Sequence, residues 1–148
     1  MFKYLIILFG LVLHMQVGSA QQQGGDRICG KWMAAENNLT VLVYKSGDHF
    51  KAKIIWFKDD PGKPMDEWRD AHNPDASLRS RKLLGMEVLN DLKYDAGDDA
   101  WNDGTVYDAQ HGHTWDASAY IDKKGLLRVR GYWHLKIFGR TMTFKRAS

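Results

Sequence analysis

Cysteine is almost absent from this chain, with Cys29 alone among 148 residues. One cysteine excludes an internal disulfide and the paired motifs that hold a structural zinc. Proline is scarce as well, at positions 61, 64 and 74 only, so little else interrupts extended pairing. Charge of one sign is not in large excess: 21 Lys and Arg stand against 18 Asp and Glu, a net +3. Basic clusters interleaved with aromatics are missing, so no nucleic-acid partner is expected. No serine sits in a Gly-x-Ser-x-Gly elbow and no His-Glu-x-x-His occurs. The plainest hydrolase and metalloprotease signatures are therefore lacking.

Only one long apolar run is present, at 4–13, preceded by Lys3 and followed by Gly18-Ser19-Ala20. A membrane span needs roughly twenty apolar residues, and this run is shorter. A basic start, a short apolar stretch and small residues at the end are the parts of a secretory signal peptide, here 1–20 with cleavage after Ala20. Gln21, not a cysteine, directly follows that point and Cys29 sits too far on, so lipid anchoring is not expected. The protein is then periplasmic or secreted, without a transmembrane segment after signal cleavage. Residues 21–29 read as a flexible leader, with Cys29 a small apolar residue rather than a reactive thiol. Residues 30–148 are of a size for one domain with one core.

What the sequence does have is alternation. Trp115, Ala117, Ala119 and Ile121 alternate with Thr114, Asp116, Ser118 and Tyr120; Leu127, Val129, Gly131 and Trp133 alternate with Leu126, Arg128, Arg130 and Tyr132. Period two with a polar opposite face marks half-buried antiparallel strands. Turns with Gly112 and Gly125 separate them. Further strands are expected at 39–45, 49–57, 85–94, from Trp101 to the turn before Gly112, and at 141–146. The long connection after 57 holds all three prolines. Within it Asn73-Pro74-Asp75 has the form of a helix start, so a short helix is expected before the strand at Gly85. About eight antiparallel strands most simply close into an up-and-down barrel, which leaves no unpaired edge; a sandwich is the alternative. Trp32 and Arg146, near opposite ends of the folded part, would meet at the closure, guanidinium over indole. A Gly30-x-Trp32 start with a late arginine resembles the closure of lipocalin-like barrels.

Five elements in order carry a more specific resemblance: Gly30-x-Trp32; Asp70-x-x-Asn73-Pro74-Asp75 with Arg79 or Arg81; Leu84-Gly85; Trp101-x-x-Gly104-x-Val106-Tyr107-Asp108; and Gly131-Tyr132 before Gly139-Arg140. Together they resemble the exported bacterial family known as domain of unknown function 2147. The resemblance covers essentially all of 30–148. It implies a small periplasmic or secreted barrel related in shape to lipocalins and streptavidin, and it implies no established activity. At the central hairpin the chain departs from the family's usual Asp-Pro-x-x-Gly-Lys, with Ala109 for the proline and His113 for the lysine.

The barrel interior is the first candidate site. Inward positions are expected at Val41, Val43, Phe50, Ala52, Ile54, Trp56, Met86, Val88, Trp115, Ala117, Ala119, Leu127, Val129, Trp133, Met142 and Phe144. Side chains either fill an eight-stranded barrel or leave room for one small ligand. Candidate ligand contacts are the aromatics Trp56, Trp101, Tyr107, Trp115, Tyr132 and Trp133, with Asp70, Asn73 and Arg81 of the connection as polar partners at the mouth. Gly30, Trp32, Gly112 and Arg146 are read as structural. The same connection residues would serve equally to fold it back, Arg81 pairing with Asp70. His111-Gly112-His113 with Asp108 and Asp116 offers metal-type ligands, but at a hairpin tip, so no metal, cofactor or catalytic residue is assigned. The basic positions Lys51, Lys53, Arg128 and Arg130 read as the wet face of a sheet or as a stripe for an anionic envelope partner. The expected function is a monomeric exported protein that binds a small apolar or amphipathic molecule. The alternatives are an envelope protein-interaction module with a packed barrel, and a hydrolase-like enzyme joining Asp70, His72 or Arg81 to the hairpin at His111 and His113.

Overall fold

The computed structural model describes residues 24–59, 61–133 and 139–148. The expected signal segment 1–20 and the first residues of the leader lie outside them. Eight strands run β1 (Gly30–Ala34), β2 (Leu39–Ser46), β3 (His49–Phe57), β4 (Glu87–Asp95), β5 (Ala100–Asp108), β6 (His113–Ile121), β7 (Leu127–Tyr132) and β8 (Gly139–Arg146). Each pairs antiparallel with its sequence neighbours, and β8 returns to β1 through Trp32↔Arg146, Met33↔Lys145 and Ala34↔Phe144. The result is a closed all-β barrel.

The inner face follows the alternation. Val41, Val43, Phe50, Ala52, Ile54, Met86, Ala117, Ala119, Leu127, Val129 and Phe144 are all buried. One end is closed by packing. Trp32, Leu92, Trp101 and Leu127 are its most deeply buried side chains, and Phe50 meets Trp101 edge-on with ring centroids 6.5 Å apart. The residues read as a flexible leader behave otherwise from Gly24 onward. A helical turn at 24–26 caps this end and Ile28 is fully buried. Both buried indoles find acceptors in that cap: Trp101 Nε1 donates to Gly25 O (3.2 Å) and Trp32 Nε1 to Ile28 O (2.8 Å). An apolar Ile28 beside two indole donors gives the segment a reason to dock.

Irregularities in the ladder account for the departures from expectation. Between Thr40↔Trp56 and Val41↔Ile54 the register skips Ile55. Residues opposite one another share a face, so this bulge turns Trp56 to the outer face with Thr40, not inward. In β4, Ala52 faces Leu89 whereas Lys53 faces Glu87, and Phe50 faces Leu92. Two extra residues therefore set the inward side chains at Met86, Leu89 and Leu92, and Val88 is only half-buried. The strand starts at Glu87 rather than Gly85. In the connection, the expected helix is a single 3-10 turn, Ala76–Leu78, capped by Asp75 rather than Asn73; a second 3-10 turn spans Met65–Glu67. Asn73 instead accepts from the Asp75 N–H through its side chain (2.8 Å), an Asx turn ahead of the helix start.

Candidate functional site

Among the described residues the opposite end of the barrel is open, its inner face partly exposed at Met142 and Trp133. On β8, Met142 pairs with Val129 and Phe144 with Leu127, so both share the inner face. Phe144 is 5% and Val129 7% exposed, yet Met142 is 45% exposed. The short first strand is one cause. Strand β1 ends at Ala34 opposite Phe144, and a last bond joins Ala35 N to Thr143 O (2.8 Å). Earlier residues of β8 pair with β7 alone among the described residues.

Aromatic side chains line this end. Trp115 and Trp133 meet edge-on with centroids 5.9 Å apart, and His113 lies 6.0 Å from Trp115. Small residues let the neighbouring strands' side chains pack closely beneath them. Ala117 pairs with Gly131, and a Cβ at Gly131 would sit 3.2 Å from Val106 Cγ1 and 3.6 Å from Trp115 Cβ. Gly131 therefore presents its bare face to the interior. A wall of indole and thioether suits a flat or flexible apolar group.

The polar candidates gather elsewhere, over the outer surface of β5. Asp70 is fully buried. Its Oδ2 accepts from Asn73 Nδ2 and Arg81 Nη2, each at 2.8 Å, and its Oδ1 from the Tyr107 hydroxyl at 2.7 Å. Burial opposes the charge on Asp70, but the three hydrogen bonds and the Arg81 cation outweigh it, and the carboxyl is held below its usual range. Burial and the adjacent carboxylate push Tyr107 up to about 12. Asp70, Asn73, Arg81 and Tyr107 thus come together as expected neighbours, with their hydrogen bonds aimed at one another. They staple the connection to the barrel. The β5–β6 hairpin is packed against the same connection: Gly112 has φ 66°, and a Cβ there would collide with His72 O. No room for a side chain remains between hairpin and connection at that point. His111 turns to Asp108, Nδ1 to Oδ2 at 2.7 Å, and no group of three metal-type ligands occurs among the described residues.

Of the other candidates, Trp101 belongs to the closed end and Tyr132 shares the outer face with Asp116. Only Trp115 and Trp133 of the proposed aromatic contacts stand at the open end. Gly30 (φ 124°) and Trp32 lie at the barrel seam, where the Arg146 guanidinium carbon is 3.9 Å from the Trp32 ring centroid. Sequence reasoning passed over Arg140 as a site residue, although its register places it at the same mouth.

The family described as "Uncharacterized protein conserved in bacteria (DUF2147)" matches residues 30–146. Among solved structures the chain is similar to a protein from the human pathogen Helicobacter pylori described as belonging to the lipocalin family. The two are 24% identical with a TM-score of 0.68, over 81% of this chain and 82% of that one. At that identity the likeness speaks for the fold. No curated protein matches the sequence.

Proposed function

For a chain that belongs to the DUF2147 family of uncharacterized proteins conserved in bacteria, we propose a binding role: an exported, monomeric barrel that takes up a small apolar or amphipathic molecule at its open end. The observation that carries this reading is the contrast along one inner face, from buried Phe144 and Val129 to exposed Met142. An apolar inner wall in contact with solvent gains free energy when a ligand covers it, at about 25 cal/mol per Å². The lipocalin-like shape is compatible with such a role. Titration with the neutral fluorophore N-phenyl-1-naphthylamine tests it. Saturable enhancement of emission is expected for the wild type and loss of it for Met142→Arg, with melting temperature retained. A wild type that gives no saturable signal would rule the reading out. Amino-terminal sequencing of the exported protein, with Gln21 as the expected first residue, tests the signal cleavage.

A second reading has one observation in its favour. Across the outer face, Lys31, Leu42 and Lys53 lie in register on β1, β2 and β3, with Lys145 on β8 opposite Met33. Such a row suits an anionic envelope partner. Salt-sensitive retention on anionic vesicles, abolished by Lys31→Glu with Lys53→Glu, is the expected result under that reading.

A further inference from the structure

The start of β8 carries a charged side chain into the open end. Gly131 pairs with Arg140, and the missing Cβ of Gly131 points at Val106 and Trp115 inside the barrel. Opposed residues share a face, so Arg140 is on the inner face as well, above Met142 by one inward step of about 7 Å. Because its opposite number is glycine, no side chain stands across from it.

The other arginines among the described residues are engaged. Arg27 pairs with Asp99, Arg81 with Asp70 and Arg128 with Asp122. Arg69 and Arg79 donate to backbone carbonyls, Arg130 to Thr141 Oγ1, and Arg146 to Cys29 O and Arg27 O. The Arg140 side chain has no ion pair or hydrogen bond among the described residues. Nearby on the rim, the Asp108 carboxylate is already taken by His111 and by the backbone N–H of Gln110. A permanently charged, planar, forked donor set beside an indole-and-thioether wall matches a ligand with an apolar body and an anionic end.

We propose that Arg140 is a specificity-determining residue of the open end and receives the carboxylate of an amphipathic ligand whose apolar part lies toward Met142 and Trp115. This deepens the binding role above and rests on it. Two parallel N–H···O bonds from the guanidinium would fix the head group at the mouth. The tail would then point down the inner wall rather than across it.

Three probes of equal chain length separate the possibilities: decanoic acid, methyl decanoate and decylamine, each displacing N-phenyl-1-naphthylamine. The wild type is expected to bind the acid at least about tenfold more tightly than the ester, with the amine weakest. Arg140→Gln removes that preference while leaving the ester's affinity within about twofold, and Arg140→Lys restores part of it. Circular dichroism and melting temperature of both variants report that the barrel is intact. Equal binding of acid and ester by the wild type, or a preference that survives Arg140→Gln, overturns the carboxylate assignment while the binding role stands. If the fluorophore and all three probes fail to bind, the binding role itself falls and this inference with it.

Discussion

The Tyr107 hydroxyl donates to Asp70 Oδ1 at 2.7 Å, joining a barrel strand to a residue of the long connection that lies far from it in sequence. Through that one carboxylate, β5 holds Asn73 and Arg81 as well. Replacing Asp70 by Ala leaves three donors without their acceptor in a place shielded from water. The expected cost is about 3 kcal/mol in urea unfolding, and more rapid proteolysis in the connection than in the strands. Because Asp70 is held below its usual range, its contribution is present above the ordinary carboxylate pKa and is lost as pH falls through the lower folded value. Equal acid sensitivity of wild type and Asp70→Asn would contradict this.

At alkaline pH the same bond has the opposite sign. Tyr107 and Tyr44 are both pushed up to about 12, by burial first and then by Asp70 and Glu87 respectively. A tyrosine whose folded pKa is raised stabilises the fold fully below its unfolded value near 10, and that contribution is lost as pH rises through about 12. Absorbance of tyrosinate should therefore show a late-titrating fraction, reduced in Tyr107→Phe. Melting temperature should fall less steeply between pH 10 and 12 in that variant than in the wild type.

Gly112 is expected to accept no side chain. At φ 66° an alanine is strained, and its Cβ would collide with the His72 carbonyl. Gly112→Ala should cost about 1–3 kcal/mol and shift the amide signals of His72 and Asn73 as well as those of the hairpin. A variant of wild-type stability would mean that hairpin and connection separate freely.

Arg146 closes the seam. Its guanidinium covers the Trp32 ring and donates to the carbonyls of Cys29 and Arg27, each at 2.7 Å. Arg146→Ala should cost about 1–2 kcal/mol, and Arg146→Lys should recover only part, since an ammonium cannot reach both carbonyls while lying flat on the ring. Trp32 emission is the local reporter, changing in both variants.

Legibility from sequence tracked the regularity of the ladder. Strands β6 and β7 pair without a skip from Asp116↔Tyr132 to Ile121↔Leu127, and their period of two could be read directly. Strand β4 could not be read so. Its inward residues Met86, Leu89 and Leu92 recur every third position because of its bulges, a spacing closer to a helix than to a strand. Trp56 was misplaced by one skipped residue opposite Thr40 and Val41. Asp70 with Arg81 was legible as a pair because acid, base and a turn lay close in sequence. Tyr107 was chosen as a ligand contact, and nothing local marked it as their partner. Arg140 went unrecognised for a different reason: which face a residue at the start of β8 takes depends on the register with β7, and that is set by pairing, not by the residues themselves.

The seam between β1 and β8 also bears on when the protein can exist. Trp32 is made well before Arg146, and each completes the other's environment. Until β8 leaves the ribosome, β1 has an unsatisfied edge and its indole lacks its cover, so the barrel cannot close before that point. Truncation within β8 would yield a split cylinder with two open edges, ready to pair with its own copies rather than a barrel one strand smaller.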